Sequence, residues 1–180
     1  HSYSSAASDV YKRQGKYRLN HSTISNFWNS GIRQFPSLLL NNFYIDSDDN
    51  EFINNLFDVD ITNSIIDGNQ NIEFLIEKLG DTNLDYKLNN SLIKFNDIND
   101  YFDNNPIYDF SNNLHYENLF QNISPSFINA LDNDLRINQN SEIIGLGSLE
   151  FATQTPFDIL NNNRTDSPDL GAYQHIIIED

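Results

Sequence analysis

The sequence predicts an all-β chain wound as a solenoid, and three observations carry that expectation: a short motif that recurs, an excess of turn-forming asparagine, and short apolar runs with strand-like alternation. The motif is an apolar residue, a polar turn pair, a short or aromatic residue, then an apolar pair ending in Ile. It is read at 19–24, 40–45, 61–66 and 88–93, so its recurrences are 21, 21 and 27 residues apart. Its columns are Leu19, Leu40, Ile61, Leu88; His21, Asn42, Asn63, Asn90; and Ile24, Ile45, Ile66, Ile93. Asparagine fills 29 of 180 positions. It tolerates the left-handed backbone region and favours turns, which suits a chain with many tight corners.

The repeat fixes the first expectation about packing. Leu19 and Ile24 are five residues apart, so a straight strand would point them to opposite faces. A sharp bend at Asn20-His21 turns both inward. Stacked bends would align Asn42, Asn63 and Asn90 into a ladder, with His21 as a substitute at one rung.

Length and charge bound the function. A chain of 180 residues makes one domain with a sizeable core. Ten Lys and Arg against 26 Asp and Glu give a net charge of −16. The densest basic cluster is Lys12-Arg13, which argues against nucleic acid or an anionic membrane as partner. Cysteine is absent, which removes disulfides and thiolate metal sites. No apolar run reaches the length of a membrane-spanning helix.

Residues 1–14 contain no Ile, Leu, Phe or Asn and resemble a translated sequencing adapter of the kind found at the ends of metagenomic fragments. They are expected to form a disordered tail that packs on nothing. The remainder, 15–180, is then expected to be a fragment lacking its N-terminal part, with a net charge of −17.

Along that remainder, Ser37-Leu-Leu-Leu40 reads as a buried strand. Asp46-Ser-Asp-Asp-Asn50 begins like a calcium loop, but Glu51 stands where Gly is required and Phe57 where the closing Glu belongs. A solvated acidic turn is the expectation there, and calcium the only cofactor in view. Ile72–Leu79 has a helix-like face, yet within a solenoid it is expected to be a twisted strand. Leu84-Asp-Tyr-Lys-Leu88 alternates as a strand. The Asp-, Asn- and aromatic-rich region from Asp97 to Asn122 reads as a long loop folded along the side of the stack. Ile123–Phe127, Asp134–Asn138 and Glu142–Gly147 read as short strands, Pro168–Tyr173 closes the fold, and His175–Ile178 reads as a last strand. Gly145-Leu-Gly147 lacks the third glycine and following helix of a nucleotide loop.

From Ile61 onward these motifs resemble the C-terminal part of secreted, right-handed parallel β-helix proteins of Bacteroidetes, a pectate-lyase-like architecture. Asn63-Ser-Ile-Ile-Asp-Gly68 with Glu73 is similar to that family's Asn-Cys-Ile-Ile-Tyr-Gly coil and trailing Glu, with Ser64 for Cys. Asn90-Ser-Leu-Ile-Lys94 is similar to the next coil. Pro125-Ser-Phe127, Leu135-Arg-Ile137 and Ser141-Glu-Ile-Ile144 resemble the family's tail. Asp158 to Arg164 and Pro168-Asp-Leu-Gly-Ala-Tyr173 resemble its closing motif, with Asn162 for Gly and Gln174 for Glu. The resemblance implies an exported or cell-surface protein with polysaccharide as its partner, and carries over no catalytic residue.

Candidate chemistry is sparse. Asp67 and Lys94 follow the Ile column and are expected to approach one another on the outer face as a surface pair. His21, His115 and His175 lack metal-ligand spacing. Asn20, Asn122 and Asn163 head glycosylation sequons that chance explains in so Asn-rich a chain. No catalytic, cofactor-binding or metal residue is therefore assigned. Two functions stay open: a non-catalytic scaffold or glycan-contacting segment, and the C-terminal part of a polysaccharide lyase or glycoside hydrolase with its catalytic coils elsewhere. In either case the fragment is expected to self-associate through its N-terminal coil near Leu19 and Ile24.

Overall fold

The computed structural model describes residues 9–11, 16–54 and 56–175, with side chains for 16–54 and 58–175. The regular structure is mostly strand with little helix, and its three principal sheets are parallel throughout. In chain order the strands are β1 (Asp9–Tyr11), β2 (Tyr17–Asn20), β3 (Thr23–Asn26), β4 (Leu38–Asn41), β5 (Phe43–Ile45), β6 (Glu51–Ile53), β7 (Leu56–Thr62) and β8 (Ile65–Gly68). They continue as β9 (Phe74–Glu77), β10 (Leu84–Asn89), β11 (Leu92–Ile93), β12 (Tyr116–Glu117), β13 (Phe120–Gln121), β14 (Phe127–Asn129) and β15 (Asp134–Ile137). The first sheet is β1-β4-β9, the second β2-β7-β10-β12, the third β3-β8-β11-β13. Between β2 and β11 the chain visits second, third and first sheets in a fixed cycle, broken only by the antiparallel hairpin β5–β6.

Corners between the second and third sheets carry the asparagine column. His21, Asn63, Asn90 and Asn118 have φ of 49°, 46°, 48° and 49°. Each is a left-handed residue that ends one strand and redirects the chain into the next, a conformation Asn adopts more readily than most side chains. Their amides bond along the stack: His21 N–H to Thr62 O at 3.0 Å, Asn63 N–H to Asn89 O at 3.2 Å and Asn90 N–H to Glu117 O at 2.9 Å. Next to them runs a ladder of hydroxyls. Ser64 Oγ accepts from Ser22 N at 3.0 Å, and Ser91 Oγ accepts from Ser64 N at 3.2 Å.

Register agrees with the motif at three of its four copies. Leu19, Ile61 and Leu88 are cross-strand partners in the second sheet, and Ile24, Ile66 and Ile93 in the third. The copy at 40–45 departs. Leu40 pairs with Ile76 in the first sheet, Asn42 is absent from the left-handed corners, and Ile45 lies 57% exposed on the hairpin opposite Glu51. The aligned spacing is thus 42, then 27, then 28 residues, from Leu19 through Ile61 and Leu88 to Tyr116. Asn42 does other work: its amide brackets Leu79, accepting from Leu79 N and donating to Leu79 O, both at 2.8 Å.

One core is filled from all three sheets, by Leu38, Leu40, Phe74 and Ile76 from the first, Val59, Ile61 and Leu88 from the second, and Ile66 and Ile93 from the third. Burial of these side chains contributes roughly 1.5–3 kcal/mol each and is the main source of stability. Side chains alternate in the third sheet, so Ile65 and Leu92 face outward. There they meet Ile137, Ile143 and Leu170 of the C-terminal segment in a second core.

Four expectations need correction. The 97–122 region lies at the end of the core and not along its side. Phe95, Phe102, Tyr108 and Phe110 form an aromatic cluster there, with ring centroids 4.6 to 6.3 Å apart. Tyr108 hydroxyl accepts from Ile76 N at 3.0 Å and donates to Ile76 O at 2.9 Å, satisfying the backbone that β9 would otherwise leave unpaired. Glu142–Gly147 is a turn, because among the described residues no strand pairs with it and Gly145 adopts φ 71°. The closing stretch covers a corner on the side of the stack. Gly171 N donates to Asn63 O at 2.7 Å and Ala172 N to Thr23 Oγ1 at 2.9 Å. Finally, Asp9–Tyr11, within the stretch set aside as a disordered tail, pairs in parallel with Leu38–Leu40, whose backbone offers a strand edge. The other residues of 1–14, and 176–178 of the expected last strand, lie outside the described residues.

Candidate functional site

Outward-facing residues of the third sheet build a concave surface. Ser25, Asp67 and Lys94 follow the outward Thr23, Ile65 and Leu92 by two residues, and Asn122 follows Gln121 at the end of β13. The chain 123–130 passes beside this row and closes a cleft of about 460 Å³ lined by Asp67, Lys94, Asn122, Phe27 and Phe127 among others. Phe27 meets Phe127 edge to face, centroids 6.0 Å apart.

Asp67 and Lys94 line the same cleft, but not as the surface ion pair expected of them. Asp67 is 8% exposed. Burial pushes its carboxyl above the usual range, opposed by the Gly68 N–H and the Lys94 charge. Lys94 does not form a close ion pair with it; the ammonium donates to Gly68 O at 2.6 Å. Ser25 Oγ, in the same row, is buried without a hydrogen-bond partner. Asn122 is committed to structure, since its amide accepts from Phe95 N at 2.8 Å and donates to Phe95 O at 2.9 Å.

A second carboxylate lies behind this surface but is fully engaged. Glu73 is completely buried; it pairs with Arg33 and accepts from Ser37 N, Ser37 Oγ and Gln70 N at 2.7 to 2.8 Å. Gly68 makes room for it, since a Cβ there would meet the Glu73 carboxylate and lie 2.6 Å from Asn26 O. The motif reading noted Glu73 only as a trailing residue. Its partner Arg33 has no local signal, because 40 residues of sequence separate them.

Other candidates resolve into structure. Asp46 Oδ1 accepts from Asp48 N and Asn50 N at 2.9 Å, so this acidic turn is organised by its own backbone. Hydrogen bonds from Asn50 hold its carboxyl below the usual range. Among the described residues no group of three or more His, Asp or Glu is placed to hold a metal ion. The three histidines among the described residues lie apart. His21 Nε2 accepts from Asn63 Nδ2 at 2.8 Å, His115 stacks on Tyr86 at 4.3 Å, and His175 N donates to Asp169 Oδ2 at 2.5 Å. In the closing motif Arg164 is 2% exposed and donates to Gly171 O and Ala172 O. Asp158 accepts from Leu160 N, Asn162 N and Gln174 N, which outweigh its burial and keep its carboxyl below the ordinary range.

No protein-family model, curated protein or solved structure matches this chain. Its function must be argued from the cleft. That cleft offers one carboxyl, one ammonium, hydroxyls and two aromatic edges, a set suited to holding a polar ligand. A glycoside hydrolase needs two carboxyl groups across the scissile bond. The carboxyl next to Asp67 in the protein, Glu73, already accepts four donors.

Proposed function

We propose that this chain is a segment of a right-handed parallel β-helix, belonging to an exported or cell-surface protein, that contacts a polysaccharide without cleaving it. The winding is supported by the cyclic order of the three parallel sheets and by four left-handed corners stacked in register. The observation that carries the functional reading is the cleft on the third sheet, where Asp67 and Lys94 flank aromatic and hydroxyl groups while Glu73 is sequestered behind them. A net charge of −16 disfavours a polyuronate, so the polysaccharide is neutral.

Titration calorimetry with neutral oligosaccharides of glucose, xylose and arabinose, and with oligogalacturonate, tests this. Saturable binding of a neutral oligosaccharide is expected, weakened roughly tenfold by Asp67→Asn or Lys94→Gln as one charge-assisted hydrogen bond is lost. Release of new reducing ends by the chain alone would overturn the non-cleaving reading and place catalytic groups within the chain itself. Absence of binding to every neutral oligosaccharide would overturn the glycan reading.

A further inference from the structure

A second cleft, on the outer face of the first sheet, has no role in the glycan reading. It has a volume of about 260 Å³ and lies between the Phe35 loop and the β5–β6 hairpin. Its floor is Leu39 and Asn41 of β4, which alternation turns away from the core residues Leu38 and Leu40. Glu77 of β9 is the cross-strand partner of Asn41 and also lines the cleft. Phe35, Phe43 and Tyr44 supply the walls, and Tyr44 is backed by Phe52 in a stack of 4.8 Å and 8°.

Two features point to a ligand. Asn41 is only 5% exposed, yet its Oδ1 has no hydrogen-bond partner, a costly state for a buried carbonyl oxygen. Glu77 is exposed and makes no ion pair among the described residues. The missing partner of both groups is a donor, and Glu77 asks for one that is positively charged. The negative faces of aromatic rings attract the same species. Phe35, 51% exposed, leaves one wall open to solvent.

We propose that this cleft binds a primary alkylammonium group, with its N–H donors on Asn41 Oδ1 and the Glu77 carboxylate and its alkyl chain against Phe43 and Tyr44. The group could belong to a free amine or to a lysine side chain, and the chemistry recognised is the same. The strongly acidic surface raises the local concentration of such a cation.

Chemical-shift titration of the full chain separates these sources and the alternatives. The probes are n-butylammonium, a short neutral peptide with one internal lysine, tetramethylammonium, and methyl β-glucoside. Saturable shifts of the Asn41 side-chain amide and the Tyr44 ring are expected with butylammonium, and with the peptide too if the site accepts a lysine in a chain. Tetramethylammonium, which lacks N–H donors, should bind more weakly. Glu77→Gln, an exposed substitution whose folding is checked by circular dichroism, should weaken butylammonium roughly fivefold, the effect of one screened charge contact. Tighter binding of the glucoside than of butylammonium, or an unchanged affinity in Glu77→Gln, would overturn the proposal. Neither result bears on the Asp67–Lys94 cleft, so the two readings fail separately.

Discussion

His21 should make this protein acid-labile, and replacing it by the asparagine found at the equivalent corners should remove that lability. The ring is 6% exposed, accepts from Asn63 Nδ2 and lies close enough to Arg164 to feel its charge. Burial, then the Arg164 charge, lowers its pKa from 6.5 to about 4, against a weak opposing pull from the Gly171 and Asp169 carbonyls. Nδ1 itself lacks a well-formed hydrogen bond. A histidine held neutral in the fold but free to protonate when unfolded costs stability as pH falls. The cost begins near the unfolded value of 6.5 and levels off below about 4. A displacement of that size is on the order of 3 kcal/mol, about three quarters of it reached by pH 4.5. Asp67 and Asp169, whose carboxyls burial raises, titrate with the opposite sign in acid, so the comparison must be between proteins at each pH. Urea unfolding of the unmodified chain and of His21→Asn, at pH 7.0 and 4.5, is the assay. Asn63 and Asn90 hold the same left-handed φ, so the variant should be close to neutral at pH 7 and gain about 2 kcal/mol on its parent at pH 4.5. Parallel pH curves for the two proteins would refute the reasoning.

Three further outcomes are expected. Gly68→Ala should destabilise by about 2 kcal/mol or more, because the new methyl group displaces the Glu73 carboxylate from its ion pair; a thermal melt unchanged within 2 °C would contradict it. Ile93→Ala should cost roughly 2–5 kcal/mol and Ile45→Ala under about 0.5, since one is fully buried and the other lies on the hairpin; equal denaturation midpoints would show the repeat register to be wrong. Sedimentation at high concentration should show self-association through β2 and β3, the outermost strands of their sheets among the described residues, reduced by Ile24→Asp while Ile93→Asp unfolds the chain; a monodisperse monomer of the unmodified chain would rule this out.

How far the sequence could be read is decided at its corners. The left-handed turn is a local event, so it leaves a local signal, and Asn63-Ser64 and Asn90-Ser91 announce it with the residue that tolerates φ near 47° and the hydroxyl that accepts from the backbone N–H of the preceding corner. His21-Ser22 shows the same chemistry with a histidine at the turn. Leu40–Ile45 imitates the pattern in composition but has Phe43 after Asn42, and nothing in it demands a left-handed residue. Requiring the small hydroxyl after the Asn would have removed that false copy. It would also have missed the fourth corner, where Leu119 follows Asn118 and offers no hydroxyl to the preceding corner.

The candidate sites were less legible because they are made between strands far apart in sequence. Asp67 and Lys94 share a face through strand register, and 27 residues of chain carry no trace of that except through the repeat itself. Asn41 and Glu77, 36 apart, have no repeat to align them, and Arg33 reaches Glu73 from an irregular loop. Charge pattern along the chain cannot find such pairs. What the sequence does hold is the composition of each partner, one buried-strand asparagine and one edge carboxylate. The parallel register then turns two unremarkable residues into adjacent acceptors. The same logic explains the aromatic loop. Its rings were visible, but their position over the end of the core follows from β9 being, among the described residues, the edge strand of its sheet, which is a property of the whole sheet. Tyr108→Phe isolates that claim. Removing one oxygen leaves the N–H and C=O of Ile76 unpaired in a buried setting, at a cost of about 1–3 kcal/mol that an aromatic ring merely packed on a surface would not incur. Amide exchange at Ile76 should accelerate in the variant while exchange at Leu40, inside the same sheet, follows only the global loss of stability; equal acceleration at both positions would mean that the hydroxyl does not seal the edge.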